Sequence, residues 1–331
     1  MTTSALHQHV RRTIGRYALC PAGTGVLIGL SGGSDSVALT WLLRDLAAYG
    51  GFHVRGAAHL NHRLRPTAAR DEAFCRALTA RVGVPLVVDS VDVAAYAAEQ
   101  RLSIEDAARR VRYDFLRRAA RELGAERIAV GHTQDDQAET FLLKLMRGAG
   151  PAGLGGIYPL NDDVIRPLLE VSRSDLRTYL EGRGEAWVDD ETNADEGNPR
   201  NRVRHRVIPE LDRAFGAGTR AAIARAAAVI REDGQWLDEL AARRFAEVVA
   251  AIDGRVEIDA VALASDSTPV RRRVLLRALR LSADGREVGL EHVEAAESVL
   301  RGVSAAADVP GARMELRRGK LVLLQQGTQP K

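Results

Sequence analysis

Hydrophobic and polar positions follow two rhythms along the first 190 residues. Short apolar runs bounded by turn residues predict strands at Val26–Leu30, His53–His59, Pro85–Val88 and Arg127–Val130. Between them, helical spacing predicts Ser36–Tyr49, stopped by Gly50-Gly51, then Ala68–Val82, Ile104–Leu123, ended by Gly124, and Gln134–Arg147. Repeated β–α units imply a parallel sheet with helices on both faces. Ligands of such sheets bind at the carboxyl ends of the strands. The first and fourth strands run into GLSGGSDS (29–36) and GHTQDD (131–136), so these two loops are expected to face one crevice. GAGPAGLGGI (148–157) fits neither rhythm and reads as a lid, a substrate loop or a plain linker.

The pattern changes at ETNADEGNPRNRVRHR (191–206), polar and then strongly basic, with Pro209 following. A boundary near residue 212 divides the chain into 1–212 and 213–331. Beyond it Thr219–Ala251 is alanine-rich and helical, and Arg255–Ile258 is a short strand. Thr268, followed by Pro269, caps a helix running to Leu281. Leu290–Leu300 is a further helix, and Met314–Leu324 a hairpin turning at Arg318-Gly319. The expected fold class is α/β, a parallel-sheet domain followed by a smaller, mostly helical α+β domain.

Composition narrows this picture. Of 331 residues 46% are apolar, enough for a core. No apolar run approaches the ~20 residues of a membrane helix, and the N-terminus lacks a signal-peptide core. A soluble, cytoplasmic protein without a membrane partner is expected. Two distant cysteines, Cys20 and Cys75, exclude a disulfide scaffold, a CxxC redox pair and a cysteine-based metal cluster. Net charge is only +3, supplied by arginine far more than lysine. Arginine suits phosphate and stacked bases, yet a GC-rich coding sequence favours it too, so composition alone does not establish nucleic-acid binding.

The loop after the first strand carries the sharpest chemistry. Gly32 and Gly33 permit close backbone approach, and the helix start behind them makes an anion site. Ser31, Ser34 and Ser36 add hydroxyls. Asp35 would repel phosphate unless Mg²⁺ lies between. The loop lacks the Gly-Lys-Ser/Thr ending of a Walker-type loop. At the fourth strand, His132, Asp136 and Glu139 are spaced i, i+4 and i, i+3, which places them on one face if the helix extends back to them. Asp35 and Asp136 are candidates to share one Mg²⁺. Arg109 and Arg112, one helical turn apart, can reach the same crevice and neutralise phosphate. His59, Asn61, His62 and Arg65 follow the second strand, where a nucleoside would be contacted. A zinc reading of His59-x-x-His62 lacks further ligands. Farther on, Arg200 and Arg204 share one helical face and Arg202 and Arg206 another. Arg271, Arg272 and Arg273 form a basic run suited to RNA backbone.

SGGSDS (31–36) resembles the signature loop of the PP-loop, or ATP-pyrophosphatase, superfamily, with its adenine-nucleotide-alpha-hydrolase-like, Rossmann-type domain. Within it the chain resembles the tRNA(Ile)-lysidine synthases, through HLNHRLR (59–65), AARRVRYDFL (107–116), GHTQDDQAET (131–140), RPLLEVSRSDLRTYL (166–180) and DDETNADEGNPRNRVRHRVIP (189–209). The resemblance implies a ligase that uses ATP and Mg²⁺. It would adenylate C2–O of the wobble cytidine in a CAU-anticodon tRNA(Ile), then let free L-lysine displace AMP. It implies ATP binding by Ser31, Gly32, Gly33, Ser34, Asp35, Ser36, His59, Asn61, Arg65 and Arg112. Catalysis would fall to Asp35, Asp136, Arg109, His132 and Glu139. tRNA would be bound by Arg200, Arg202, Arg204, Arg206, Arg271 and Arg272, with 213–331 as a tRNA-binding domain, in a homodimer or a monomer. Asp136 and Glu139 would hold the lysine ammonium, with His132 a candidate base. The alternatives are a tRNA thiolase or an amide-forming synthetase on the same scaffold, and a non-catalytic RNA-binding protein. The first lacks its cysteines here, and the last would not need the retained carboxylates.

Overall fold

The computed structural model describes residues 1–61, 68–188, 197–252 and 255–325. They form two compact units, Met1–Arg231 and Glu232–Lys331. In the first, strands β1 (Gly25–Gly29), β2 (His53–Asn61), β3 (Leu86–Ser90), β4 (Arg127–Ala129), β5 (Leu160–Asn161) and β6 (Val164–Ile165) make one sheet in the order β3-β2-β1-β4-β6-β5. All neighbours pair parallel except the β5–β6 hairpin. The apolar strand GVLIG explains the arrangement. Its Val26, Leu27 and Ile28 are fully buried because helices cover both faces of the sheet.

The helices are α1 (Thr3–Arg16), α2 (Ser34–Gly50), α3 (Ala68–Val82), α4 (Val93–Gln100), α5 (Ile104–Glu122), α6 (Gln134–Met146), α7 (Pro151–Leu154) and α8 (Arg173–Arg183). One core cluster joins α1, α2 and α8 to the sheet through Leu6, Leu39, Leu42, Ile28 and Leu176. The opposite face packs Phe115, Leu116 and Ala119 of α5 against Leu27, Ile128 and Val164. The glycine-rich stretch 148–157 contains the short helix α7, and Gln137 closes the loop by donating to Gly155 O at 3.1 Å and accepting from Ile157 N–H at 2.7 Å.

Helix α9 (Pro199–Arg202) runs into a π-helical turn, Val203–Val207, then into α10 (Ile208–Phe215) and α11 (Thr219–Val248). Val203, Val207 and Ile208 pack on Ala138, Leu142 and Leu143, which pins this segment to α6. The alanine-rich region is thus one helix that ends at Val248, where β-branched Val249 opens a strand. In the second unit β7 (Val249–Ile252), β8 (Arg255–Asp259), β9 (Ala306–Val309), β10 (Ala312–Arg317) and β11 (Lys320–Gln325) form an antiparallel sheet in the order β7-β8-β11-β10-β9. Helices α12 (Ala260–Ala264), α13 (Thr268–Ser282) and α14 (Leu290–Leu300) complete it. Val274, Leu275, Ala278, Val293 and Ala296 share a core with Ile258, Met314 and Leu323. The cap of α13 is Ser267, not Thr268, which is the first helical residue. No helix among the described residues is long and apolar enough to cross a membrane.

Candidate active site

The loop between β1 and α2 is built on its own hydroxyls. Ser36 Oγ accepts from the N–H groups of Ser31 and Gly32, both at 3.2 Å, and donates to Gly33 O at 3.0 Å. Ser36 is therefore a buried brace of the loop, and its hydroxyl proton is already used. Gly32 takes φ +90°, and α2 starts at Ser34 with Gly33 as its cap. By the geometry of any helix start, the first N–H groups of α2 have no intrahelical partner and favour an anion. His59 is buried beneath the loop, with Nδ1 3.0 Å from Leu30 O. Its buried Nε2 has no partner among the described residues. Asn61 ends β2 beside it; Arg65 and His62 lie outside the described residues.

The second strand end meets the first by close backbone packing. A Cβ at Gly131 would stand 3.1 Å from Asp35 C and Ser36 N, so only glycine lets β4 approach the start of α2 this closely. Thr133 caps α6. Its N–H and Oγ–H both donate to Asp136 Oδ2 at 2.8 Å, in a capping box. This points the other oxygen of Asp136 into the crevice.

There the carboxylates meet arginines. Arg173, at the start of α8, donates from Nε to Asp35 Oδ2 at 3.0 Å and from Nη2 to Asp136 Oδ1 at 3.3 Å. Arg200 donates to Asp136 Oδ1 at 2.9 Å and Glu139 Oε2 at 2.8 Å. Arg204 holds Glu139 with two bonds of 2.6 and 2.9 Å. Arg220 lies 3.4 Å from Asp135. The i, i+4 pairing read from the sequence thus appears as two faces. Arg200 and Arg204 turn in, and Arg202 and Arg206 are exposed. Neither Arg173 nor Arg166 was singled out from the sequence. Arg173 carried a signal, since Ser172-Arg173-Ser174-Asp175 is a helix start following an apolar run, with Ser172 capping α8.

These charges set the protonation states. Burial raises the pKa of Asp35, and repulsion from Asp136 adds to it while Arg173 opposes. Burial also works against ionising Asp136, but Arg200, Arg173 and the Thr133 N–H overcome it and hold that carboxyl well below the usual range. Burial pushes the His132 imidazole down to about 3 against the attraction of Asp136, with Arg112, Arg166 and Arg200 pushing the same way as burial. His132 is thus neutral at pH 7. Arg112 stands near it, while Arg109 lines a cleft of about 360 Å³ with Arg110, Tyr113, Asn161 and Arg166. Both guanidinium groups stack over Tyr113, at 5.2 and 5.7 Å.

Asp35 and Asp136 converge on one guanidinium, so two hard oxygen donors point to one place beside the loop. Mg²⁺ is held by one or two protein carboxylates plus phosphate oxygens and water, and this donor set fits it. Among the described residues no group of three His, Cys, Asp or Glu side chains makes a closed metal site.

In the second unit the structure moves Arg271 out of the RNA-facing group. It is buried, donating to Glu297 Oε1 at 3.0 Å, Asp266 O at 2.8 Å and Thr268 Oγ1 at 3.1 Å. Arg271 sits on the inward side of α13 with Val274, Leu275 and Ala278, which the three-arginine run concealed. Arg272 bonds Glu297 at 2.8 Å yet keeps 41% of its side chain exposed.

Fold and loop together define a nucleotide-binding domain of the PP-loop class, and the PP-loop domain family matches residues 6–211. A tRNA(Ile)-lysidine synthase of Thermus thermophilus is 39% identical over 90% of this chain and 56% of its own length. One of Geobacter sulfurreducens is 34% identical over 96% of this chain and 67% of its own. The chain belongs to the tRNA(Ile)-lysidine synthase family of PP-loop proteins. It spans little more than half the length of the Thermus relative. In fold it is similar to a U34-tRNA thiolase of Methanococcus maripaludis, with a TM-score of 0.58 at 19% identity over 69% of this chain and 78% of that one.

Proposed function

We propose that this chain ligates free L-lysine to C2 of the wobble cytidine of a CAU-anticodon tRNA(Ile), consuming ATP and releasing pyrophosphate and then AMP. The observation that carries this reading is the convergence of Asp35, from the phosphate loop, with Asp136 and Glu139, from the next strand end, into one acidic cluster that attracts cations. Adenylation with a cationic second substrate calls for such a cluster. The first step moves negative charge onto pyrophosphate. The first N–H groups of α2, with Ser31 and Ser34, would cradle the phosphates, and Arg112 and Arg109 would neutralise them. Asp35 and Asp136 would hold Mg²⁺, which supplies Lewis-acid stabilisation of the phosphoryl oxygens. The Nε2 of His59, without a partner among the described residues, suits a nucleoside. Glu139 and Asp136 suit the lysine ammonium, which would displace the guanidinium groups of Arg200 and Arg204. Exposed Arg202, Arg206 and Arg272 suit tRNA phosphates.

The thiolase alternative finds no support in the cysteines. Both are buried, and burial pushes each thiol up to about 12, so neither is a thiolate sulfur carrier at neutral pH.

The test is incubation of the chain with ATP, Mg²⁺, labelled lysine and CAU-anticodon tRNA(Ile). Label in RNA at the wobble base, with AMP and pyrophosphate released and Asp35→Ala and Asp136→Ala inactive, is expected. tRNA-dependent pyrophosphate release without lysine transfer would keep adenylation and remove the lysine assignment. No pyrophosphate release with any tRNA would overturn both.

A further inference from the structure

We propose that Arg166 is a positioning residue that locks His132 in the tautomer protonated on Nε2, making His132 a hydrogen-bond donor to the reacting groups instead of their base. The donor role rests on the ligase reading above; the tautomer does not. Arg166 Nε lies 3.3 Å from His132 Nδ1. A guanidinium Nε–H can only donate, so Nδ1 must accept, and the one proton of the neutral ring sits on Nε2. Protonating Nδ1 would set N–H against N–H.

Arg166 cannot swing away from this contact. It is 5% exposed, and its Nη1 is tied to Tyr158 O at 2.6 Å. The charged groups around the ring agree. Arg112, Arg166 and Arg200 face it with like charge, and the acid that attracts it, Asp136, already meets Arg173, Arg200 and Arg204. His132 also precedes the N-terminus of α6, whose dipole disfavours an imidazolium.

A neutral imidazole donating from Nε2 stabilises an oxygen on which negative charge develops, here a phosphoryl oxygen or the cytidine oxygen during adenylation. No proton leaves His132 in that step. The proton of the lysine ammonium therefore goes to another group in the second step, not to His132, which the sequence offered as one candidate base.

The test is a long-range ¹⁵N–¹H correlation spectrum of the uniformly ¹⁵N-labelled chain at pH 7. One of the eight histidines is assigned as His132 by its loss in His132→Gln. A pyridine-like Nδ1 and a protonated Nε2 are expected; a protonated Nδ1 overturns the proposal. In Arg166→Met, which cannot donate, the ring should lose its single tautomer, and kcat should fall about 100-fold with little change in KM. Arg166→Gln, which can donate, should restore much of both. An unchanged tautomer in Arg166→Met also overturns the proposal. If Arg166→Met does not fold, the wild-type spectrum decides alone. Because the spectrum needs no turnover, failure of the lysine-transfer reading and failure of this one are told apart.

Discussion

Asp35 and Asp136 accept from the same guanidinium, yet the fold treats them oppositely. Asp136 has a depressed pKa, so its ionised form adds stability above the unfolded value near 4 and loses it as pH falls toward the folded value. Asp35 has a raised pKa, so ionising it costs stability as pH rises through its folded value. At pH 7 Asp136→Asn should therefore lower the denaturant midpoint, an effect that fades progressively as the pH is taken below about 4. Asp35→Asn should leave the midpoint unchanged or raise it, while abolishing ATP-dependent pyrophosphate release. Unfolding curves at pH 3 and 7 check both, and a destabilising Asp35→Asn at pH 7 would contradict the assignment. The neighbouring arginines of α13 separate in the same way. Arg271→Ala takes from buried Glu297 one of its two close arginine partners and leaves Asp266 O and Thr268 Oγ1 without their buried donor, and should cost about 1–3 kcal/mol. Arg272→Ala should hardly change stability, but should weaken tRNA binding and reduce its salt slope by about one. Filter binding across a salt series beside thermal melts separates the two.

At the scale of elements, the site depends on how closely two strand ends approach. Gly131→Ala would press a methyl group against the backbone of Asp35 and Ser36, two atoms of a rigid helix start, each 3.1 Å away. It should cost about 1–3 kcal/mol and move Asp136 away from Asp35, so Mg-dependent ATP binding should weaken more than stability does. Calorimetric titration with MgATP beside an unfolding curve checks the ratio. Elements with a full apolar period were legible in the sequence. Ala68–Val82 and Leu290–Leu300 match residue for residue, and β1, α2, α5 and α6 match within two residues at each end. The β5–β6 hairpin was not, because two-residue strands carry no period. That hairpin delivers Arg166, so its contact with His132 carried no local signal in the sequence. The facing pairs of 200–206 were legible from helical spacing. Their target was not, because it depends on Val203 and Val207 docking on α6 through a π-helical turn. Arg173 was hidden for a related reason: its partners lie 138 and 37 residues away, beyond any local pattern.

At the scale of the whole chain, two hydrophobic cores share no residue: one gathers Leu6 to Leu180, the other Ala241 to Leu323. Because the two cores lie in different compact units, they are expected to melt separately. Gly311 offers a clean way to test this. It sits in the β9–β10 turn at φ +80°, where an L side chain is already strained, and a Cβ there would collide with the carbonyl of Ser282 at the end of α13. That carbonyl is backbone and not the free end of a flexible side chain, so the turn or the helix end must yield. Gly311→Ala should unfold the second unit well below the melting temperature of the first. Limited proteolysis should then cut after residue 232 and leave a resistant fragment that still binds MgATP. Asp35, Asp136 and Arg112, the residues proposed for adenylation, lie wholly in that fragment. ATP binding should survive the substitution, and tRNA-dependent turnover should fall to the extent that the second unit grips the RNA. A single melting transition with both activities lost together would show instead that the two units fold as one.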